Sequence, residues 1–182
     1  VGAFKLRGGV VYLHELMRRE PGLRGVISAT RGNHGQSIAL AAARHGVEAT
    51  IVVPHGNSVE KNAAMRALGA TLVEHGEDFQ AAREHAAGLA EARGLHMVAS
   101  FHRDLVRGVA SYWMEFFEAC AGDPPEAVYV PIGQGSGIAA CGSRSPSPGS
   151  IRNRPQPRRG CCGGWCARPF AKAAPDSARA LS

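Results

Sequence analysis

The 182-residue chain lacks any apolar run long enough to cross a membrane, and no signal-peptide pattern opens it. It also lacks the cysteines for a disulfide framework. Three of the five, Cys161, Cys162 and Cys166, lie in the C-terminal tail, and the rest of the chain has only Cys120 and Cys141. That usage fits a reduced, cytoplasmic compartment. Acidic residues are scarce at one end: residues 142–182 hold eight basic side chains against one acid, Asp176, which leaves 13 basic and 14 acidic residues in 1–141. The formal charge of +6 therefore belongs to the tail, and the body offers no electrostatic case for nucleic acid. Metal-binding spacing is missing as well. All eight histidines lie at or before His102, and Cys161-Cys162-x3-Cys166 supplies three sulfurs without paired spacing, so no metal site is expected.

From residue 8 to about 140, short β-rich runs alternate with amphipathic stretches. Helices are expected over 8–19 (Val11, Leu13, Leu16 and Met17 inward, stopped at Pro21-Gly22), over 33–45 ended by Gly46, from a Ser58 cap to Gly69, over 79–93 ended by Gly94, and over 104–120 with Val106, Val109, Trp113, Phe116 and Phe117 inward. Strands are expected at 25–30, 49–54, 71–74, 96–99 and 127–131. The second is almost wholly apolar, as a strand buried on both faces should be. This alternation argues for right-handed βαβ units and an α/β fold with a parallel sheet and flanking helices.

Three segments are able to carry chemistry. The first is Gly2-Ala3-Phe4-Lys5-Leu6-Arg7-Gly8. A lysine becomes a nucleophile when its ammonium is partly desolvated or lies near other cations, which lowers its pKa. Lys5 stands between Phe4 and Leu6 just before a helix, with Arg7 close by; taken alone, Lys5 and Arg7 read equally as surface charges at a helix start.

The second is Ser28-Ala29-Thr30-Arg31-Gly32-Asn33-His34-Gly35-Gln36, at a strand end leading into a helix. Free N–H groups at a helix start make an anion site, and Gly32 and Gly35 would let a ligand approach the backbone. Asn33 alone reads as a helix cap. The third is Pro131-Ile132-Gly133-Gln134-Gly135-Ser136-Gly137, again at a strand end, where glycine amides can form a phosphate-binding nest. A dinucleotide fingerprint would need a third glycine where Ile138 stands, so a mononucleotide-type phosphate fits better than NAD.

In order and spacing these segments resemble the lysine motif, asparagine loop and glycine-rich phosphate loop of fold-type II pyridoxal-phosphate enzymes, over residues 1–141. Val130-Pro131-Ile132-Gly133, followed by Gly135-Ser136-Gly137-Ile138, looks most like the threonine/serine dehydratase (threonine ammonia-lyase) group, with serine racemase and hydroxyaspartate ammonia-lyase as relatives. The resemblance implies a tryptophan-synthase-β-like fold, pyridoxal 5'-phosphate as cofactor, a small amino acid as substrate, and homo-oligomers among full-length relatives.

It implies that Lys5 holds the cofactor and moves the substrate's α-proton, that Phe4 packs beside the ring, and that Asn33 hydrogen-bonds the ring's 3-hydroxyl. Gly133, Gln134, Gly135, Ser136 and Gly137 would bind the phosphate, and Thr30, Gly32, Asn33 and His34 would bracket the substrate carboxylate. The reaction implied is α,β-elimination from L-threonine or L-serine to a 2-oxo acid and ammonia. Arg31 is a departure. It stands where relatives place a small residue, including the serine some racemases use as the opposite-face acid, which counts against racemisation.

The domains implied are 1–23 (lysine motif and first helix of a cofactor domain), 24–102 (substrate-side α/β domain), 103–141 (return to the cofactor domain) and the tail 142–182. In the tail Pro, Arg, Ser, Gly and Cys dominate without periodicity, so disorder is expected. A frameshift in a GC-rich gene would produce such a composition, and a start on Val within a motif would follow from missing upstream sequence. On that expectation the chain by itself is a remnant that binds the cofactor poorly and turns over little. Translating the underlying DNA in the other two frames is expected to yield a family-like continuation after residue 141; its absence from both would rule out the frameshift.

Overall fold

The structure, a computed structural model, describes residues 2–142. The expectations for the tail, its cysteines included, fall outside the described residues. The chain divides into two units, Val1–Tyr112 and Trp113–Ser182.

In the first unit, strands β1 (Gly25–Ala29), β2 (Glu48–Val53), β3 (Thr71–Glu74) and β4 (His96–Met97) alternate with helices α1 (Lys5–Arg19), α2 (Asn33–His45), α3 (Val59–Ala67) and α4 (Phe79–Arg93); α5 (Arg103–Ala119) follows and contains the boundary between units. The strands form one parallel sheet in the order β3-β2-β1-β4. Alternate side chains of β1 and β2 point to opposite faces. Val26, Ile51 and Val53 meet Leu13 and Leu16 of α1, Ile38 and Ala42 of α2, and Met65 of α3. Ile27, Ala29 and Val52 meet Ala82, Ala86 and Ala90 of α4 on the other face. Every residue of β1 is buried, as a central parallel strand covered on both sides requires.

Helix starts follow side-chain caps. Ser58 Oγ accepts from the Lys61 amide at 3.3 Å, and Asp78 Oδ1 from the Ala81 amide at 2.8 Å. α2 and α4 stop at Gly46 and Gly94. The start of α5 is tied to the end of α1 by Arg19, whose guanidinium donates to the buried Asp104 carboxylate at 2.8 Å.

On α5, Val106, Phe116 and Phe117 are half-buried rather than fully inward, and two further expectations differ from what is observed. α1 begins at Lys5 rather than after it, so the lysine lies within the helix; the inward face is Gly8, Gly9, Tyr12, Leu13 and Leu16, with Val11 and Met17 only half-buried. Gly8 and Gly9 are inward because neighbouring helices approach them closely: a Cβ at Gly8 would sit 2.8 Å from the Leu105 carbonyl oxygen. The strand expected at 127–131 does not form among the described residues. A strand exists only through ladder hydrogen bonds to a neighbour, and no described segment pairs with this one; Tyr129 is 80% exposed while Val130 is buried.

In the second unit Trp113 is buried against Phe116 and Phe117, at ring separations of 5.5 and 5.7 Å. Its indole Nε1 donates to the Gly137 carbonyl at 2.9 Å and so anchors α6 (Ser136–Gly142).

Ile51, fully buried in the middle of the sheet, and Val59, 83% exposed on α3, provide a matched comparison. Ile51→Ala is expected to lower unfolding free energy by about 2–5 kcal/mol, and Val59→Ala to change it by less than about 0.5 kcal/mol. Equal urea midpoints for the two variants would contradict this core.

Candidate active site

The first segment that can carry chemistry opens α1. Phe4 precedes the helix in a helical conformation without a side-chain cap and packs on Tyr112, ring centroids 5.5 Å apart. Lys5 is half-buried; its Nζ lies 5.7 Å from the Phe4 ring centroid, and burial lowers its pKa below the usual lysine value. Its backbone is held from the neighbouring helix: Ser37 Oγ donates to the Lys5 carbonyl at 2.6 Å and accepts from the Gly9 amide at 3.1 Å.

The second segment joins β1 to α2. Thr30 is buried, its amide donates to the Val52 carbonyl at 3.0 Å, and its Oγ1 accepts from the Gly32 amide at 3.1 Å. The N-cap of α2 is Gly32, not Asn33. Asn33 is the exposed first residue of the helix, no side chain caps it, and no acidic residue lies in its first turn. The cap reading of Asn33 is thereby replaced by a helix start without a side-chain cap, where the Gly35 amide donates to the Gly32 carbonyl at 3.0 Å.

His34, in that turn, is only 9% exposed. Burial first, and the nearby Lys5 charge second, lower its pKa to about 4, so the imidazole is neutral at neutral pH. Its Nε2 is buried without a hydrogen-bond partner. An unsatisfied buried ring nitrogen is costly and is an atom a ligand can satisfy. Gln36 is buried as well.

The two glycines of this segment serve different ends. A Cβ on Gly35 would collide with Met65 Sδ and come within 2.6 Å of Thr30 Cγ2, so this glycine permits α2 to press on the sheet and on α3 rather than admitting a ligand. A Cβ on Gly32 would meet Lys61 Nζ at 3.1 Å. Lys61 and Ser37 carry no signal in the sequence. Each acts on a residue distant in the chain, and only the packing of α3 and α2 brings them there.

The third segment belongs to the second unit. Gly135 has φ +94°, a conformation that other residues adopt only under strain. Nothing lies within 4 Å of a Cβ placed on Gly133 or Gly135, so the loop is open on that side. Ser136 and Gly137 are buried at the start of α6, and the Ala139 amide bonds the Gly135 carbonyl at 2.9 Å. This is the open, amide-lined turn that suits a phosphate.

Sequence comparison finds the family described as pyridoxal-phosphate dependent enzyme over residues 1–154. The chloroplastic biosynthetic threonine dehydratase of Arabidopsis thaliana is 37% identical over 147 residues, 77% of this chain and 24% of the relative. Among solved structures, a pyridoxal 5'-phosphate-dependent aspartate racemase superposes with TM-score 0.74 at 30% identity, covering 81% of this chain and 45% of the racemase. The processed form of threonine deaminase isoform 2 from Solanum lycopersicum superposes with TM-score 0.68 at 35% identity, covering 78% of this chain and 40% of that one. The chain thus spans about a quarter of the curated relative's length and under half of either solved structure.

His34 gives the site a pH signature. Its folded pKa of about 4 lies below the usual histidine value of 6.5, so the unfolded chain binds the proton more tightly than the folded one. Stability from this group is present above pH 6.5 and is lost as pH falls toward 4, by up to about 3 kcal/mol. The wild-type urea midpoint is expected to fall more steeply over that interval than the His34→Gln midpoint. Parallel pH profiles would show that His34 is not buried as a neutral ring.

Proposed function

The chain belongs to the family of pyridoxal-phosphate-dependent enzymes, and we propose that within it the chain carries the lysine, carboxylate and phosphate segments of a threonine ammonia-lyase. The single observation that carries this is the pairing of a half-buried, desolvated Lys5 amine with the buried neutral His34 beside an uncapped helix start. The family's cofactor is pyridoxal 5'-phosphate, and the residues fit it. Lys5 supplies an amine of lowered pKa, Phe4 an apolar ring beside it, and the open loop of Gly133, Gln134, Gly135, Ser136 and Gly137 a place for a phosphate. Asn33, exposed at the start of α2, is assigned to the ring's 3-hydroxyl.

Bound there, the cofactor supplies an electron sink for the carbanion left at a substrate's α-carbon. The chain's own residues do the rest. Lys5 Nζ, whose lowered pKa makes the uncharged amine more accessible, takes and returns the α-proton. The α2 amides, with Thr30, Gly32, Asn33 and His34 around them, hold the carboxylate of a β-hydroxy amino acid. Phe4, which packs on Tyr112, lies beside the Lys5 ammonium. The free thiols of Cys120 and Cys141 suit a reduced, cytoplasmic setting; burial pushes the Cys141 pKa up to about 11 and keeps that thiol protonated.

A racemase is the second possibility, favoured by the likeness to aspartate racemase. Against it, exposed Arg31 occupies the place of the serine that some racemases use as opposite-face acid.

Purified chain mixed with pyridoxal phosphate is expected to develop a weak visible absorbance band, in keeping with a partial chain, that is lost in Lys5→Ala. With L-threonine any turnover is expected to release 2-oxobutanoate and ammonia, at a low rate, rather than accumulate a D-isomer. A band that persists in Lys5→Ala would refute the assignment of the lysine, and D-isomer formation alone would select the racemase.

A further inference from the structure

The start of α2 gathers positive charge with nothing to balance it. Its first-turn amides have no side-chain cap, and no acid lies in the turn. The Lys61 side chain of α3 lies along the same point: Cδ would be 3.4 Å and Nζ 3.1 Å from a Cβ on Gly32. Arg31, exposed, adjoins it in the chain. Among the described residues, no carboxylate lies within ion-pair distance of Lys61 or Arg31. A cation at a helix N-terminus is opposed by the helix dipole, the reverse of the arrangement that stabilises a helix. A second, independent observation points the same way: the nine-tenths-buried His34 in this turn has an Nε2 without a hydrogen-bond partner. The Lys61 ammonium brought in from α3, the Asn33 and His34 amides of an uncapped helix start, and an unsatisfied buried ring nitrogen together suit a small anion.

We propose that Lys61 is a carboxylate-binding residue, its ammonium and the first-turn amides of α2 together holding the carboxylate of the amino-acid substrate. The inference rests on the assignment of an amino-acid substrate made above and extends it to a side chain on another helix. It gives the cluster selectivity: two charge-assisted contacts converge on one carboxylate, and an amide in its place would offer no charge to Lys61. A Cβ at Gly32 would lie 3.1 Å from the ammonium, which shows how closely the Lys61 side chain follows the helix start.

The test titrates the ¹⁵N-labelled chain, without cofactor, with L-threonine, L-threoninamide and inorganic phosphate, and follows the amide resonances of Gly32, Asn33, His34 and Gly35. L-threonine is expected to shift them and L-threoninamide to leave them in place. Lys61→Met is expected to weaken L-threonine binding about tenfold or more, with Lys61→Arg within about threefold of wild type. Unchanged resonances elsewhere in the Lys61→Met spectrum confirm that the variant is folded.

Wild-type affinity in Lys61→Met, no shift in the wild-type chain, or a response to phosphate alone would each overturn the proposal. The Lys5-dependent absorbance band is read separately. Its presence alongside unchanged threonine binding in Lys61→Met removes Lys61 and leaves the ammonia-lyase assignment. Its absence alongside Lys61-dependent binding removes that assignment and leaves the carboxylate site.

Discussion

The site depends on one hydroxyl. Ser37 Oγ bridges the Lys5 carbonyl and the Gly9 amide, two groups that a regular α-helix pairs with each other four residues apart. By taking part in the first turn of α1, a side chain of α2 fixes where that turn begins and therefore where Lys5 sits. The contact needs close approach: a Cβ at Gly9 would collide with Ser37 Oγ and lie 2.7 Å from its carbonyl oxygen. A larger residue at position 9 would separate the two helices and with them the lysine from His34. A polar bond in a buried, short-range setting orients better than an apolar contact, because its strength falls quickly with geometry.

The sheet sets the other boundary. With α1 and α2 on one face and α4 on the other, the strands have no free face, and ligand chemistry is confined to the loops beyond their carboxyl ends. The β1–α2 connection, running from Thr30 through Gly32 to His34, is such a loop. Its exits are closed by packing: Thr30 is pinned to β2 and Gly35 is pressed against Met65 of α3, so the amides at the start of α2 are held in place before anything binds. Preorganised donors of this kind lose little freedom on binding.

Much of this was legible in the amino-acid sequence, for identifiable reasons. α2, β3 and α4 match their expected limits because each combines a clear period with a local stop, Gly46 and Gly94 after the helices and Gly69 before the strand. Local chemistry also placed the Ser58 cap. What failed depends on partners that a local pattern does not contain. Residues 127–131 have strand composition, yet without a paired neighbour in the described chain composition does not make a ladder. Tyr12 was not anticipated in the core because its hydroxyl is satisfied by His96 Nε2 at 3.0 Å, a partner far along the chain. Asn33 has the residue type that favours a cap, but the N-cap is Gly32 and Asn33 is already the first helical residue. Lys61 has no motif around it in the sequence, because its position against Gly32 arises only from the way α3 packs beside α2.

The electrostatics of the site are better understood as a set than residue by residue. Lys5 is disfavoured as a cation by burial, and His34 by burial first and by the nearby Lys5 charge second. An anion at the start of α2 would act in the opposite direction, favouring charge on any cation near it. Binding of a carboxylate and the protonation state of Lys5 are therefore linked: a carboxylate that lowers the potential around the amine makes its proton harder to lose and easier to acquire. For the proton transfer proposed for Lys5 this coupling has a use: burial favours the uncharged amine, and a carboxylate bound nearby would favour the ammonium formed when the amine takes a proton. The linkage requires only that Lys5, His34 and the α2 amides be held near one another, which is what the Ser37 bridge between the two helices does.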